Sequence, residues 1–278
     1  MGFIFWAARP RALINSFRDM NAKTMWPSYK FLGIQVNSLT VPELNLIVGD
    51  AIATQQKIVI ACHNLHSLYL FHHNARMRRF EARANYVHID GMGIVLLGRL
   101  MGHPLGRQHR ITYLDWLKPL LSEAAAQSRR ALYIGMRSGI CARAEKVMGR
   151  DYPGLEFRAV HWDFEHVPVS VLTESVVSAV NEFCPQILFV GLGMPRQENW
   201  ILDNFERISA NVILPCGAAM DYIAGAAPTP PRWVGRYGIE WLFRLLSEPR
   251  HVWRRYLVEP WYVVGLLASE LLKTTFLR

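Results

Sequence analysis

Residues 186–198 read Gln186-Ile187-Leu188-Phe189-Val190-Gly191-Leu192-Gly193-Met194-Pro195-Arg196-Gln197-Glu198. A short apolar, β-rich run gives way to two glycines and then to a proline followed by polar residues. That order describes a buried strand, a tight turn and the first turn of a helix, where proline is well tolerated. The glycines allow backbone to approach a ligand, and a helix N-terminus favours phosphate. The spacing is not Gly-x-Gly-x-x-Gly, because Arg196 stands where the third glycine would be, so a nicotinamide-dinucleotide site is poorly supported.

Working outward, the same strand-then-helix alternation recurs. Apolar runs at Lys57–Cys62, Tyr86–Ile89, Ala131–Gly135, Leu155–Val160, Ile187–Gly191 and Val212–Pro215 predict strands. Helical patterns fall between them at about 65–82, 91–101, 113–127, 139–149, 170–183 and 195–205. The reading is an α/β, Rossmann-like core with helices on both faces of the sheet. It spans residues 30–227, behind an N-terminal apolar and basic segment at 1–29.

Pro228-Thr229-Pro230-Pro231 ends the alternation, since proline continues neither a helix nor a central strand. Beyond it, residues 228–278 predict a helical appendage. Arg232 to Arg255 holds six arginines, three tryptophans and two glutamates, with no lysine. Arg236, Glu240 and Arg244 follow at i, i+4 spacing, as do Arg250 and Arg254, so each set forms a stripe on its helix. Such a pattern suits phosphate, or a lipid interface with rings at headgroup level. It also suits a solvated helix face. The apolar stretch Trp261–Leu272, interrupted by Glu270, falls short of the roughly 20 residues of a spanning helix.

The 278-residue chain is 51% hydrophobic, enough for a full core, and its net charge of +9 implies an anionic partner. Its four scattered cysteines form no Cys-x-x-Cys pair and predict reduced thiols. Met1 to Ala8 is too short to cross a membrane and lacks the basic start of a signal peptide.

Other candidate positions lie where strands end, the place at which open α/β sheets bind ligands. Asn64 follows the first predicted strand and either caps the next helix or touches substrate. Asp90, in Ile89-Asp90-Gly91-Met92-Gly93, is either a cap or a general base. Gly135, in Gly135-Met136-Arg137-Ser138-Gly139, opens a second glycine turn of the same kind. Arg110 can bind phosphate, and Asp115 can accept from sugar hydroxyls or pair with Arg110. The ten histidines show no metal-binding spacing, and no Asp-x-Asp occurs.

Together these motifs resemble the WecG/TagA/CpsF group of glycosyltransferases, over roughly residues 30–258. The resemblance rests on Asn64, Asp90-Gly91-Met92-Gly93, Arg110 with Asp115, the segment Gly191 to Glu198, and Pro231-Arg232-Trp233 onward to Glu248-Pro249-Arg250. It implies an inverting, metal-independent, cofactor-free transfer from a UDP-sugar to a polyprenyl-diphosphate-linked sugar at the cytoplasmic face of a bacterial inner membrane. Asp90 is then the base, with Asn64 and Arg110 beside it. Gly135, Gly191, Gly193, Gln197, Arg244, Arg250 and Arg254 hold the donor. Arg232, Trp233, Arg236, Trp253 and Arg255 meet anionic membrane lipid, and the oligomeric state stays open.

Two departures bear on the sugar. Many members carry Thr two residues before the asparagine and Gly-x-Asp after the arginine, where this chain has Cys62 and Tyr113-Leu114-Asp115. Taken as sugar or acceptor contacts, Cys62 and Asp115 favour glucose as donor, in an exopolysaccharide branch resembling GumM. An N-acetylmannosamine donor, of the teichoic acid or enterobacterial antigen type, is the alternative. From another class stands a basic nucleic-acid-binding module, against which counts the lack of any recognisable nucleic-acid-binding motif.

Overall fold

The computed structural model describes residues 26–163, 166–231, 234–235 and 238–276. Its chain begins with a short antiparallel pair, β1 (Ser28–Phe31) and β2 (Ile34–Asn37), joined at Leu32-Gly33, both of which have positive φ. The boundary expected between residues 29 and 30 falls inside β1. Helix α1 (Val41–Ala53) follows, opened by a capping box in which the Glu43 carboxylate accepts from the Thr40 amide and hydroxyl, both at 2.7 Å.

Next come β3 (Ile58–His63), α2 (Leu65–His73), α3 (Ala75–Arg83), β4 (Tyr86–Ile89) and α4 (Met92–Leu100). They are followed by α5 (Tyr113–Ala126), β5 (Arg130–Gly135), α6 (Ser138–Asp151), β6 (Glu156–His161), α7 (Val169–Phe183) and β7 (Ile187–Gly191). Then come α8 (Arg196–Asn204), β8 (Val212–Pro215) and α9 (Ala219–Ile223), and finally α10 (Glu240–Ser247), α11 (Pro249–Leu257) and α12 (Glu259–Phe276).

Six strands form one parallel sheet in the order β4-β3-β8-β7-β5-β6. This is the α/β architecture expected. Apart from the edge strand β6, which is partly exposed, the strands are largely buried on both faces, and alternate residues feed two cores. Ile58, Ile60, Tyr133, Phe189 and Leu214 face α1, α5 and α6, while Val59, Ala61, Leu132, Val190 and Ile213 face α7 and α8. Beyond β4 the sheet edge is closed in two ways: the Val87 amide donates to the Asn37 side chain at 2.9 Å, and the Ile111 amide donates to the Ile89 carbonyl at 2.7 Å.

Two differences from the sequence reading have local causes. The single helix expected over 65–82 breaks at Asn74, whose extended backbone and side chain cap α3 through the Arg76 amide at 2.9 Å. Pro195 is the N-cap of α8 and stands just before its first turn.

Among the described residues no helix is long and apolar enough to cross a membrane. The last helix, α12, is docked on the core. Val263 is buried among Leu68, Ile89, Ile94 and Val95, which is worth about 1.5 kcal/mol. Nearby, His66 Nδ1 lies 2.6 Å from the Glu259 carboxylate.

Candidate active site

Because all six strands are parallel, their carboxyl ends share one edge. His63 and Ile89 are register partners there, so Asn64 and Asp90 leave the sheet side by side. Asn64 has extended backbone and caps α2, its Oδ1 accepting from the Ser67 amide at 3.0 Å. Its Nδ2 donates to Asp90 Oδ2 at 3.1 Å. One side chain therefore caps the helix and meets the Asp90 carboxylate. Asp90 is held further by its own amide, which donates to the His63 carbonyl at 2.7 Å. The capping alternative for Asp90 is not met: the N-cap of α4 is Gly91, and no side chain bonds the first turn. Gly91 has φ +111°, a conformation other residues rarely adopt, so glycine there turns the chain from the carboxylate into the helix.

Cys62 lies one pleat below, paired in register with His88. Burial first, then the Asp90 and Glu198 carboxylates, push the Cys62 thiol well above its usual range. His88 is fully buried against Tyr113 and Trp116, and burial pushes its pKa down to about 4 although Asp90 pulls the other way.

The two glycine loops differ from one another. Gly135 and Gly191 are paired across β5 and β7, and the Tyr133 ring fills the space that a Cβ would need at either, 2.4 Å and 2.5 Å away. Both are therefore explained by packing. Gly193, by contrast, faces open space. Gln197, expected to line the donor site, is buried: its Oε1 accepts from the Gly217 amide at 3.0 Å and its Nε2 donates to Glu198 Oε1 at 2.7 Å. It ties the loop after β7 to the loop after β8.

Glu198 is also buried, and its Oε2 has no hydrogen-bond partner among the described residues. Burial raises its pKa to about 7, against the pull of the Gln197 amide. Across pH 6–8 the unfolded carboxyl is already ionised, so only the folded one releases a proton. Stability present at low pH is thus lost as pH rises through the folded value, by about 1.4 kcal/mol for a tenfold change in the equilibrium. Glu198→Gln retains the acceptor for Gln197 and should remove this slope, which urea unfolding at pH 6 and pH 8 measures; an unchanged slope would assign it elsewhere.

Arg110 is only 8% exposed and is held by two carboxylates. Nη2 donates to Asp115 Oδ2 at 2.9 Å, and Nη1 to Glu240 Oε2 at 2.8 Å. Asp115 also accepts from the Thr112 hydroxyl at 2.9 Å. Of the two readings of Arg110, the ion pair is the one formed, and its second partner comes from the appendage.

The appendage cations divide. Arg244 is half-buried, and its Nε has no hydrogen-bond partner among the described residues. Burial opposes its charge, but Tyr222, Tyr256, Glu248 and Asp90 outweigh that and hold its pKa above the usual value. Arg250 and Arg254 are exposed. Arg255, expected at the lipid, is half-buried and close enough to lower the Cys62 pKa against its other neighbours. Trp253, Trp261 and Leu246 are exposed. Arg232, Trp233 and Arg236 lie outside the described residues.

At the far end of the same edge, β5, β6 and the start of α6 enclose an open cavity of about 560 Å³ lined by Met136, Arg137, Ser138, Arg143, His161 and Trp162. Arg137 reaches Asp221 of α9 at 3.5 Å, and burial raises the Asp221 pKa. Among the described residues no three His, Cys, Asp or Glu side chains are grouped to hold a metal ion. Sequence reasoning did not single out Glu240, Glu198 or Asp221 as site residues. Glu240 had a signal in its place in the arginine stripe, and Glu198 in closing the motif that begins at Gly191.

This arrangement of strand ends, paired Asn64 and Asp90, and a docked basic appendage extends over nearly the whole stretch, residues 29–276, that matches the family described as glycosyl transferase WecG/TagA/CpsF. The chain belongs to that family. It is similar to an N-acetylglucosaminyldiphosphoundecaprenol N-acetyl-beta-D-mannosaminyltransferase of Bacillus spizizenii, 29% identical over 197 residues, which are 71% of this chain and 74% of the relative. A protein of the same name from Staphylococcus aureus strain MW2 is 27% identical over 172 residues, 62% of this chain and 65% of that one. Neither relative supports the glucose donor expected from Cys62 and Tyr113-Leu114-Asp115. Both bear the name of the mannosaminyl alternative.

Proposed function

We propose that this WecG/TagA/CpsF protein transfers N-acetylmannosamine from a UDP donor to an N-acetylglucosaminyl-diphosphoundecaprenol acceptor, as the names of its relatives suggest. The observation that carries the chemistry is the Asp90 carboxylate, committed to no helix cap and oriented by Asn64 at the carboxyl edge of the sheet. The carboxylate takes the proton of the acceptor hydroxyl as that oxygen bonds to the anomeric carbon. The bond from that carbon to the diphosphate breaks, UDP leaves, and the sugar is inverted. Arg244, with its unpartnered Nε, stabilises the charge that develops on the diphosphate.

The donor then lies along the strand ends. Its nucleoside fits the cavity at β5 and β6, its diphosphate lies over the open turn at Gly193, and its sugar reaches Asn64 and Asp90. From β4 to β7 is three strand spacings, about 14 Å. The exposed Leu246, Trp253 and Trp261, interleaved with Arg250 and Arg254, form a surface suited to anionic lipid, which would hold the enzyme peripherally where its acceptor resides.

Incubation of the protein with radiolabelled UDP-N-acetylmannosamine or UDP-glucose, each with N-acetylglucosaminyl-diphosphoundecaprenol or glucosyl-diphosphoundecaprenol, tests the reading. Label should enter lipid only for the first donor with the first acceptor. Glucose incorporation would instead restore the exopolysaccharide reading.

A further inference from the structure

Behind Asn64 lies a chain of polar groups that neither the fold nor the proposed chemistry has yet used. His63 is the last residue of β3 and is fully buried, as His88 is on β4, in a sheet whose core is otherwise apolar. Its Nδ1 is 3.0 Å from the Ser67 hydroxyl, and its Nε2 is 3.0 Å from Glu81 Oε2 on α3. The second approach is too bent to count as a full hydrogen bond, so it acts chiefly through charge. Ser67 is buried as well; its hydroxyl oxygen accepts from the Asn64 backbone amide at 2.8 Å and lies 2.9 Å from the Asn64 carbonyl oxygen. The Ser67 amide in turn donates to Asn64 Oδ1.

Electrostatics favours one arrangement of the protons. An ionised Glu81 draws the imidazole N–H to Nε2, which leaves Nδ1 as an acceptor. The Ser67 O–H then faces two acceptors, Nδ1 and the Asn64 carbonyl oxygen at 2.9 Å, while its oxygen accepts from the Asn64 backbone amide. With Oδ1 of Asn64 committed to the Ser67 amide, its Nδ2 has one direction left, toward Asp90 Oδ2 at 3.1 Å. A buried polar chain of this kind is costly unless every member is satisfied, and a hydrophobic residue at position 63 would serve the core as well.

We propose that Glu81, His63 and Ser67 form a buried positioning relay that fixes the Asn64 backbone at the start of α2 through the capping box, and thereby the side-chain amide that holds the Asp90 carboxylate in the orientation that accepts the acceptor's proton. The relay moves no proton and touches no substrate. It rests on Asp90 acting as the base.

The test compares His63→Leu, His63→Asn and Ser67→Ala in the full-length protein, measuring kcat, donor KM and Tm. In His63→Asn the amide stands near the place of Nδ1 and keeps the bond to Ser67. His63→Leu and Ser67→Ala should each lower kcat about tenfold with donor KM within twofold, and His63→Asn should restore kcat to within threefold of the parent. If His63→Leu does not fold, Ser67→Ala carries the comparison. Unchanged kcat in the folded variants, or equal losses in His63→Leu and His63→Asn, overturns the relay. Asp90→Asn separates the two proposals: turnover retained there sinks the base itself, whereas turnover lost there but normal in the His63 and Ser67 variants sinks only the relay.

Discussion

Asp90→Asn should lower kcat by about 10³-fold while leaving UDP affinity within twofold and thermal stability unchanged. The size follows from removing a general base, which contributes some 10²–10⁴ in rate. That stability should hold follows from the local geometry. Gly91 is the N-cap of α4, so the change removes no capping bond of about 1 kcal/mol. The new amide can still accept from Asn64 Nδ2, which now reaches Oδ2 at 3.1 Å. UDP binding should survive because the nucleoside cavity at β5 and β6 lies four strand spacings from β4, about 19 Å. Stopped assays for lipid-linked product, calorimetry with UDP and a melting curve make the comparison. Turnover near that of the parent would remove Asp90 from the chemistry, and lost UDP binding would move its role from the acceptor to the donor.

The features that carry this prediction differ in how far the sequence discloses them. Strands such as Ile58–His63 and Ile187–Gly191 are legible because a parallel sheet buries both faces and so demands continuous apolar runs. The β1–β2 pair is not, since four-residue strands give too short an alternation. That Asn64 and Asp90 lie at the carboxyl edge of the sheet follows from their places after strands. Their contact follows only from β3 and β4 being neighbours in register, across 26 residues of chain. Gln197 shows the opposite limit. Its type and motif suit a donor contact, but whether an amide faces ligand or the Gly217 backbone is fixed by the loop after β8, which no local pattern reveals.

The Arg110 clasp was legible only in its Asp115 half, since Glu240 lies 130 residues from the arginine, and it yields the second large effect. Arg110→Met should destabilise the protein by about 3 kcal/mol, because removing one member of a buried ion cluster strands the carboxylates that faced it. The usual range is higher, but Asp115 is 33% exposed, keeps the Thr112 hydroxyl at 2.9 Å, and so recovers part of its solvation. Among the described residues Glu240 has no such substitute: burial already raises its pKa even with Arg110 present. The stranded group is thus the one on α10, and the appendage should loosen. Trypsin should cut faster between residues 228 and 239, and transfer should fall with it, since Arg244 reaches the site on the same helix. Adding Glu240→Leu removes the stranded charge and should restore most of the stability, the protease resistance and the turnover together. Urea unfolding, timed proteolysis and the transfer assay read the three on the same samples. If the double variant regains stability but not turnover, Arg110 touches substrate as well as holding the appendage; if the single variant is as stable as the parent, the clasp holds nothing.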